Sequence, residues 1–342
     1  MISDETKYKN MKPKKNIYFD NIPNDIYNDP HEELINWYLR KVINFNEDDL
    51  KGVCMTSSTE SLFCAMYIAK CTFLMESKTA QPPIYVSSEA HSGIVTISQT
   101  LNLPLFRINA KKYYGMDMDL LREAIDDEPY AIVILTMGDV KNQIYDDIEL
   151  FYSEVIGKLP NTKLYLHIDG TIGGMVYPFL KKKWLVYPFD SINVSLHRHI
   201  ETKNNCSLTI FKSEYEEILN FFINSNSKSI LSNIDVKQIL DEYIYVPNKI
   251  KNHIQSLMSC VDKKQYLLEL CYPQISCCHE LSFVMYIKNI ANENKTKLEN
   301  LNVIPYGNSD EYEYKAYFVI NKYTSEYVVD SIIEILEKRD NL

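Results

Sequence analysis

The chain has 342 residues, with 36 Lys and Arg against 46 Asp and Glu, a formal net charge of −10, and 46% hydrophobic residues. That charge argues against a globally basic surface for nucleic acid. Nine glycines are too few for collagen-like, glycine-linker or glycine-fingerprint architectures. The length accommodates one large α/β domain and a smaller companion. Eight cysteines without paired metal spacing point to a reducing, cytoplasmic setting and to no metal centre. No stretch reaches the roughly 18 apolar residues that cross a bilayer, and no apolar run near the start resembles a secretion signal, so a soluble protein is expected.

Residues 1–28 read as a lysine-rich flexible tail. Order is expected from Asp29-Pro30-His31-Glu32, where a capping acid, a first-turn proline and a following acid precede the apolar series Leu34, Ile35, Tyr38, Leu39 and Val42. Short apolar runs then alternate with helical spacing. Strands are predicted at Ile84–Ser87, Leu105–Ile108, Ile132–Thr136, Leu164–Ile168, Ile192–Ser195 and Ser207–Phe211. Helices are predicted at Glu60–Cys71, Ser92–Thr100, Asp117–Ile125 and Asp146–Ile156. The alternation implies a mostly parallel sheet covered on both faces across a large domain, 29–245. From 246 to 342 the order changes to a helical pattern through Leu268, strands at Ser282–Tyr286 and Tyr314–Ile320, and a final helix Ser325–Leu336, the pattern of a smaller α+β domain.

Four places along this order carry chemistry-bearing residues. Met55-Thr56-Ser57-Ser58-Thr59-Glu60-Ser61 opens a strong helix. It reads as a capping box with Ser57 at the cap, and equally as a hydroxyl-rich helix start suited to a phosphate. Glu89-Ala90-His91-Ser92 ends a strand, where His91 either caps the next helix or stacks on an aromatic ligand. His167-Ile168-Asp169-Gly170 puts Asp169 at the carboxyl edge of the sheet, as a helix cap or as the partner of a cationic ring nitrogen. Ser191 to His199 runs a strand into a polar cluster at the same edge. Cys277-Cys278-His279 reads as packed thiols rather than a metal site, because neighbouring strand residues point to opposite faces.

Taken in order, these segments resemble the group II pyridoxal-phosphate-dependent amino-acid decarboxylases of fold type I, with particular likeness to bacterial pyridoxal-dependent histidine decarboxylases. The segment ending "CMTSSTES" resembles the family's T-x-G-G-T-E-G phosphate loop, which implies phosphate contacts from Ser58 and Thr59. "SSEAHSGI" is similar to S-x-x-A/S-H-Y-S and makes His91 the ring-stacking histidine. "MGDVKNQIYDDI" is similar to G-T-T-x-x-G-A-x-D-D-I/L. "LHIDGTIGGMVYPF" resembles H-x-D-A-A-x-G/S-G-x-x-x-P-F, with Asp169 on the pyridine nitrogen and Thr171 under the ring. The segment "SINVSLHRHI" resembles the strand that ends S-G-H-K, which implies that Ser195 and His197 border the cofactor. The resemblance implies pyridoxal 5'-phosphate as cofactor, an amino acid or another anion as the small-molecule partner, and a homodimer.

One departure changes the expected chemistry. Arg198 stands where the family has the lysine that forms the imine with the cofactor aldehyde. A guanidinium keeps its proton at any working pH and cannot be that nucleophile. Asp139 and Val140 also replace two threonines, and serines replace phosphate-loop glycines. The expectation is a catalytically deficient member in which Arg198, His91 and Asp169 mark the former catalytic position, cofactor retention is non-covalent, and the role is one of binding or regulation. The competing expectation is an active histidine or aromatic amino-acid decarboxylase using another lysine, Lys203 or Lys141.

Overall fold

The computed structural model describes residues 29–43, 50–77, 81–111, 115–126, 128–138, 145–175, 187–200, 202, 205–219, 236–245, 249–250 and 252–256, with short stretches at 276–278, 282–287, 304–305, 314–319, 331 and 334. The expected tail, Asp139, Val140, Lys141, Lys203, His279 and all but two residues of the expected final helix lie outside the described residues.

The first helix, α1 (Pro30–Trp37), starts as its sequence dictates: the Asp29 side chain accepts from His31 N–H at 2.9 Å, and proline occupies the first turn, where no donor is needed. It continues as a π-helical turn, Tyr38–Ile43. There Tyr38, fully buried, donates its hydroxyl to Gly174 O at 2.9 Å.

Seven strands form the main sheet: β1 (Leu50–Met55), β2 (Ile84–Ser87), β3 (Leu105–Ile108), then, beyond a two-stranded ribbon β4 (Ala110–Lys111) and β5 (Gly115–Met116), β6 (Tyr130–Thr136), β7 (Lys163–Gly170), β8 (Ser191–Ser195) and β9 (Ser207–Lys212). Their spatial order is β1-β9-β8-β7-β6-β2-β3. Pairing is parallel throughout β8, β7, β6, β2 and β3, whereas β9 runs antiparallel to both β8 and β1. The expected mostly parallel α/β sheet is present. The ribbon β4–β5 and the full strand β1 add to the sequence expectation.

Helices α2 (Ser58–Ser77), α3 (Gly93–Leu101), α4 (Met118–Ile125) and the short α5 (Ile148–Leu150) with its π-helical continuation Phe151–Ile156 cover the sheet. The predicted helix from Asp146 starts two residues later, because Asp147 is its cap and Asp146 has another task. Alternation along each strand divides the core. Leu166, Ile168, Ile192, Val194, Leu208 and Ile210 face α1 and α4, while Val53, Ile84, Val86, Ile132, Ile134, Tyr165 and Phe211 face α2 and α3.

A second, four-stranded antiparallel sheet has the order β10-β11-β13-β12, with β10 (Ser276–Cys278), β11 (Ser282–Ile287), β12 (Ile304–Pro305) and β13 (Tyr314–Val319). The expected strands β11 and β13 are its centre, and Cys277 and Cys278 pair with Met285 and Val284.

Asp146 stitches the site edge of β6 to the ribbon. Its carboxylate accepts from Thr136 N–H at 2.7 Å and from Met116 N–H at 2.6 Å, both buried. Asp146→Asn replaces one acceptor oxygen by an N–H₂ facing a donor, so it should lower unfolding stability by about 2–3 kcal/mol. The urea midpoint should fall at unchanged slope.

Candidate functional site

Parallel strands bring their carboxyl ends to one edge, and the antiparallel β9 begins there too. Ser87, Thr136, Asp169 and Ser195 therefore lie at or next to the ends of their strands along this edge, with Thr136 beside Asp169, Asp169 beside Asn193 and Ser207 opposite Ser195. The chain leaves β1 at the same edge and turns directly into α2. Open α/β sheets place their ligands at this edge.

The turn into α2 is a capping box shifted by one residue from the simplest pattern. Ser57 Oγ accepts from Glu60 N–H at 3.1 Å, while the Glu60 carboxylate reaches back to the N–H (2.9 Å) and hydroxyl (2.6 Å) of Thr56. Ser58 and Thr59 form the first helical turn, half-buried and exposed respectively. Ser58 Oγ makes a short hydroxyl contact with Ser195 Oγ, which in turn lies 3.2 Å from Ser207 Oγ. This hydroxyl chain brings together Ser58 and Ser195, 137 residues apart in sequence.

His91 is exposed just ahead of α3, whose cap position is Ser92, and its Nδ1 accepts from Gly93 N–H at 3.0 Å. A side chain on Gly93 would meet that ring at 2.9 Å and Thr59 at 4.0 Å, so His91 and Thr59 flank the same point of the edge.

Asp169 is buried, and its Oδ1 accepts from the Thr171 N–H (3.1 Å) and hydroxyl (2.6 Å). The turn that follows is tight: Gly173 N–H donates to Met137 O at 2.8 Å, and a Cβ on Gly173 would lie 2.4 Å from that oxygen. Behind Asp169 runs a polar stripe that the sequence reading did not single out. His167, fully buried, has Nδ1 2.8 Å from Ser191 Oγ and Nε2 3.0 Å from the Asn193 amide, and that amide lies 2.9 Å from Thr171 Oγ1. Tyr165 donates its hydroxyl to Ser191 Oγ at 3.0 Å. The available signal was period-two polarity inside otherwise apolar strands, Tyr165-His167-Asp169 and Ser191-Asn193-Ser195.

After β8 the chain makes a turn in which Leu196 and His197 N–H both donate to Cys206 O, at 2.9 and 3.4 Å, while His199 Nε2 lies 2.8 Å from Ile172 O. His197 is half-buried. Burial depresses its pKa, and the adjacent Arg198 charge adds to that shift. Arg198 carries a buried Nε with no hydrogen-bond partner, and at the end of β6 the Thr136 hydroxyl is likewise buried and unpartnered. Thr136 stands directly beside Asp169 in the parallel register. Among the described residues no three His, Cys, Asp or Glu side chains gather to hold a metal ion. No described helix is long and apolar enough to cross a membrane.

Residues 31–229 match the family described as the pyridoxal-dependent decarboxylase conserved domain. The chain belongs to this family. It is similar to the tryptophan decarboxylase of Clostridium sporogenes, 28% identical over 175 residues that cover 49% of this chain and 41% of that protein. It is also similar to the histidine decarboxylase of Vibrio campbellii, 24% identical over 68% of this chain and 61% of the relative. The chain thus spans between about two fifths and about three fifths of the length of these relatives. The Oryza sativa TDC solved with PLP and tryptamine superposes with a TM-score of 0.69 at 15% identity, covering 90% of this chain and 74% of that one. Lactobacillus brevis glutamate decarboxylase gives 0.69 at 14% identity, covering 92% and 80%. These superpositions establish fold type I.

The family's cofactor is pyridoxal phosphate, and the edge can be tested against it. A buried carboxylate, a hydroxyl-rich helix start, an edge histidine and two unpartnered buried donors suit a flat, anionic heterocycle. The same edge holds an arginine in the turn after β8, which suits an anion and not covalent attachment.

Burial without a full-strength counter-charge pushes the His167 pKa down to about 4, against opposing pulls from Asp169 and Asn193. The unfolded chain, with an ordinary histidine near 6.5, therefore binds more protons than the native one between those values. Stability should be complete above pH 6.5 and fall as pH drops toward 4, at up to about 1.4 kcal/mol per unit from this residue. Urea titrations at pH 7, 6 and 5 should show a shallower decline in His167→Gln.

Proposed function

We propose that this protein is a decarboxylase-family binding protein that holds pyridoxal phosphate or a related anionic pyridoxal derivative without covalent attachment, and that decarboxylates amino acids poorly or not at all. The observation that carries the reading is Arg198. The resemblance aligns it with the imine-forming lysine, and it presents a buried, unpartnered Nε in the turn that follows β8.

Each residue has a task in this reading. Asp169, already oriented by Thr171, accepts from a ligand's ring nitrogen, and a buried site strengthens that contact. His91 and Thr171 would hold the ring of the cofactor between them. Ser58 and Thr59 supply hydroxyl and backbone donors at the positive end of α2 to a phosphate. Ser195 holds Ser58 in place, and His197, kept uncharged by burial, spaces the turn from β9 through Cys206. Arg198 offers the guanidinium fork to a ligand carboxylate or phosphate, a geometry that a lysine does not provide. Pyridoxal phosphate, when bound, supplies an electron sink for the pair left by carbon dioxide. With arginine at this position the side chain of residue 198 can neither take the aldehyde carbon nor displace a product from it.

The reading extends to the assembly and its setting. A homodimer with the edge near the subunit boundary is what the family resemblance implies, and the free thiols of Cys54, Cys64, Cys71 and Cys206 suit a reducing cytoplasm.

The purified chain mixed with pyridoxal phosphate should retain the cofactor as free aldehyde. Borohydride should add no cofactor mass to the protein, and carbon dioxide release from histidine, tryptophan or tyrosine should be negligible. Arg198→Lys should gain borohydride-trapped mass and raise any residual turnover on the order of 10³-fold. Trapped mass on the unmodified chain, or its loss only in Lys203→Ala, would overturn the proposal in favour of an active enzyme.

A further inference from the structure

We propose that His167 is a positioning residue for Asp169: the imidazole and the Asn193 amide form one hydrogen-bonded unit whose arrangement decides which donor the Asp169 carboxylate receives. This rests on the reading of Asp169 as the group that meets a ligand's ring nitrogen.

The geometry allows two proton arrangements. In the first, the Asn193 amide oxygen faces His167, so Nε2–H donates to Asn193 Oδ1 across 3.0 Å and the Asn193 N–H₂ donates to Thr171 Oγ1 across 2.9 Å. The Thr171 hydroxyl is then free to donate to Asp169 Oδ1 across 2.6 Å. At the other end the Ser191 hydroxyl donates to His167 Nδ1 and the Tyr165 hydroxyl donates to Ser191. Every hydroxyl hydrogen is used once, but the amide oxygen is left facing two acceptors, Ile168 O and Asp169 Oδ1, each at 3.2 Å.

In the second arrangement the amide is turned over. Its nitrogen donates to His167 Nε2 at 3.0 Å and lies 3.2 Å from Asp169 Oδ1, while its oxygen accepts the Thr171 hydroxyl at 2.9 Å. The imidazole must then carry its proton on Nδ1, donating to Ser191. Thr171 has only one hydroxyl hydrogen, which serves either the amide oxygen or Asp169 Oδ1. In the first arrangement the amide oxygen faces Ile168 O and Asp169 Oδ1, each at 3.2 Å, with no hydrogen between them; the second turns both contacts into donations, and that selects the second arrangement.

The imidazole is what makes the selection exclusive. Its two nitrogens are one donor and one acceptor while it is neutral, and full burial opposes charging it. A tautomer shift at His167 therefore requires the Asn193 amide to rotate, and the rotation exchanges an amide donor on Asp169 for a hydroxyl donor. The carboxylate's remaining capacity for a ligand's N–H changes with that exchange. His167 acts on the ligand through Asn193 and Thr171, without touching it.

The test uses the full chain labelled with ¹⁵N-histidine and two-bond ¹H–¹⁵N spectra, which distinguish the two ring nitrogens. The expected result is a neutral His167 protonated on Nδ1, switching to Nε2 in Ser191→Ala, where Nδ1 loses its acceptor and the amide turns its oxygen toward the imidazole. A His167 that is charged at pH 7, protonated on Nε2 in the unmodified chain, or unmoved in Ser191→Ala overturns the proposal. A second measurement titrates pyridoxal phosphate by absorbance. His167→Phe should weaken retention at least tenfold, while His167→Gln, whose amide keeps a donor and an acceptor, should stay within about threefold. Equal retention in both variants overturns the positioning role. If the unmodified chain retains no pyridoxal phosphate, the reading of the site as a cofactor pocket fails, and the tautomer spectra still decide this proposal.

Discussion

The α2-facing side of strands β7, β8 and β9 carries Tyr165, His167, Asp169, Ser191, Asn193, Ser195, Ser207 and Thr209 in the middle of a sheet that is otherwise apolar. Each of these groups would cost on the order of 1–3 kcal/mol if left without a partner. Their partners are chiefly one another and the hydroxyls of the α2 start, so β7, β8, β9 and α2 are held in a single register. A slip of one residue in any strand would turn its polar set into the apolar layer on the opposite face. The constraint that places Asp169, Thr171 and Ser58 at one edge is therefore the same constraint that makes the centre of the sheet uniquely folded.

The edge itself shows how little room this constraint leaves. Asp146 fixes the last residue of β6 through its backbone, Met137 N–H donates to Asp169 O at 2.9 Å, and Tyr38 reaches from the π-helical turn after α1 to Gly174. Gly138, with φ +81°, turns the chain out of β6 in a conformation that side-chain-bearing residues rarely adopt. The turn after β7 is thus clamped from β6 and from the π-helical turn after α1, with the buried Asp169 carboxylate and the half-buried Thr171 where it begins. Rigid support of this kind is what a binding constellation needs, whether or not chemistry follows.

Much of this arrangement was legible in the chain. Period-two and 3.6-residue patterns located the central strands within about two residues and the helices between them, because burial on one face forces such spacing, although the helix expected to end at Cys71 continues to Ser77. The order of the segments around Ser58, His91, Asp169 and Ser195 was enough to bring them to one edge once the strands were taken as parallel. Edge elements were harder. Strand β1 and the ribbon β4–β5 are short or mixed in polarity, and their existence depends on partners distant in sequence, Ser207–Lys212 for β1 and Asp146 for β5. The start of α5 was misplaced because Asp146 and Asp147 look equivalent as caps, and only tertiary contacts assign one to the helix and the other to β6. The role of His167 was hidden for a related reason: a histidine in a buried strand signals nothing until Asn193 and Ser191 arrive beside it.

Arginine after β8 shapes the electrostatics of the edge. A lysine in such a turn can shed its proton when buried and so relieve the cost of desolvation, whereas a guanidinium must be paired or partly solvated. Arg198 meets this by remaining half-exposed while its Nε is buried, and its charge reinforces the burial that keeps neighbouring His197 neutral. A permanently positive group at the rim and a neutral, hydrogen-bonded imidazole behind Asp169 together favour a ligand with an anionic rim and a ring nitrogen that donates. On the reading proposed above, electrostatics of this kind would keep the pocket selective without a covalent step, since contacts at Asp169 and at the α2 start involve no amine.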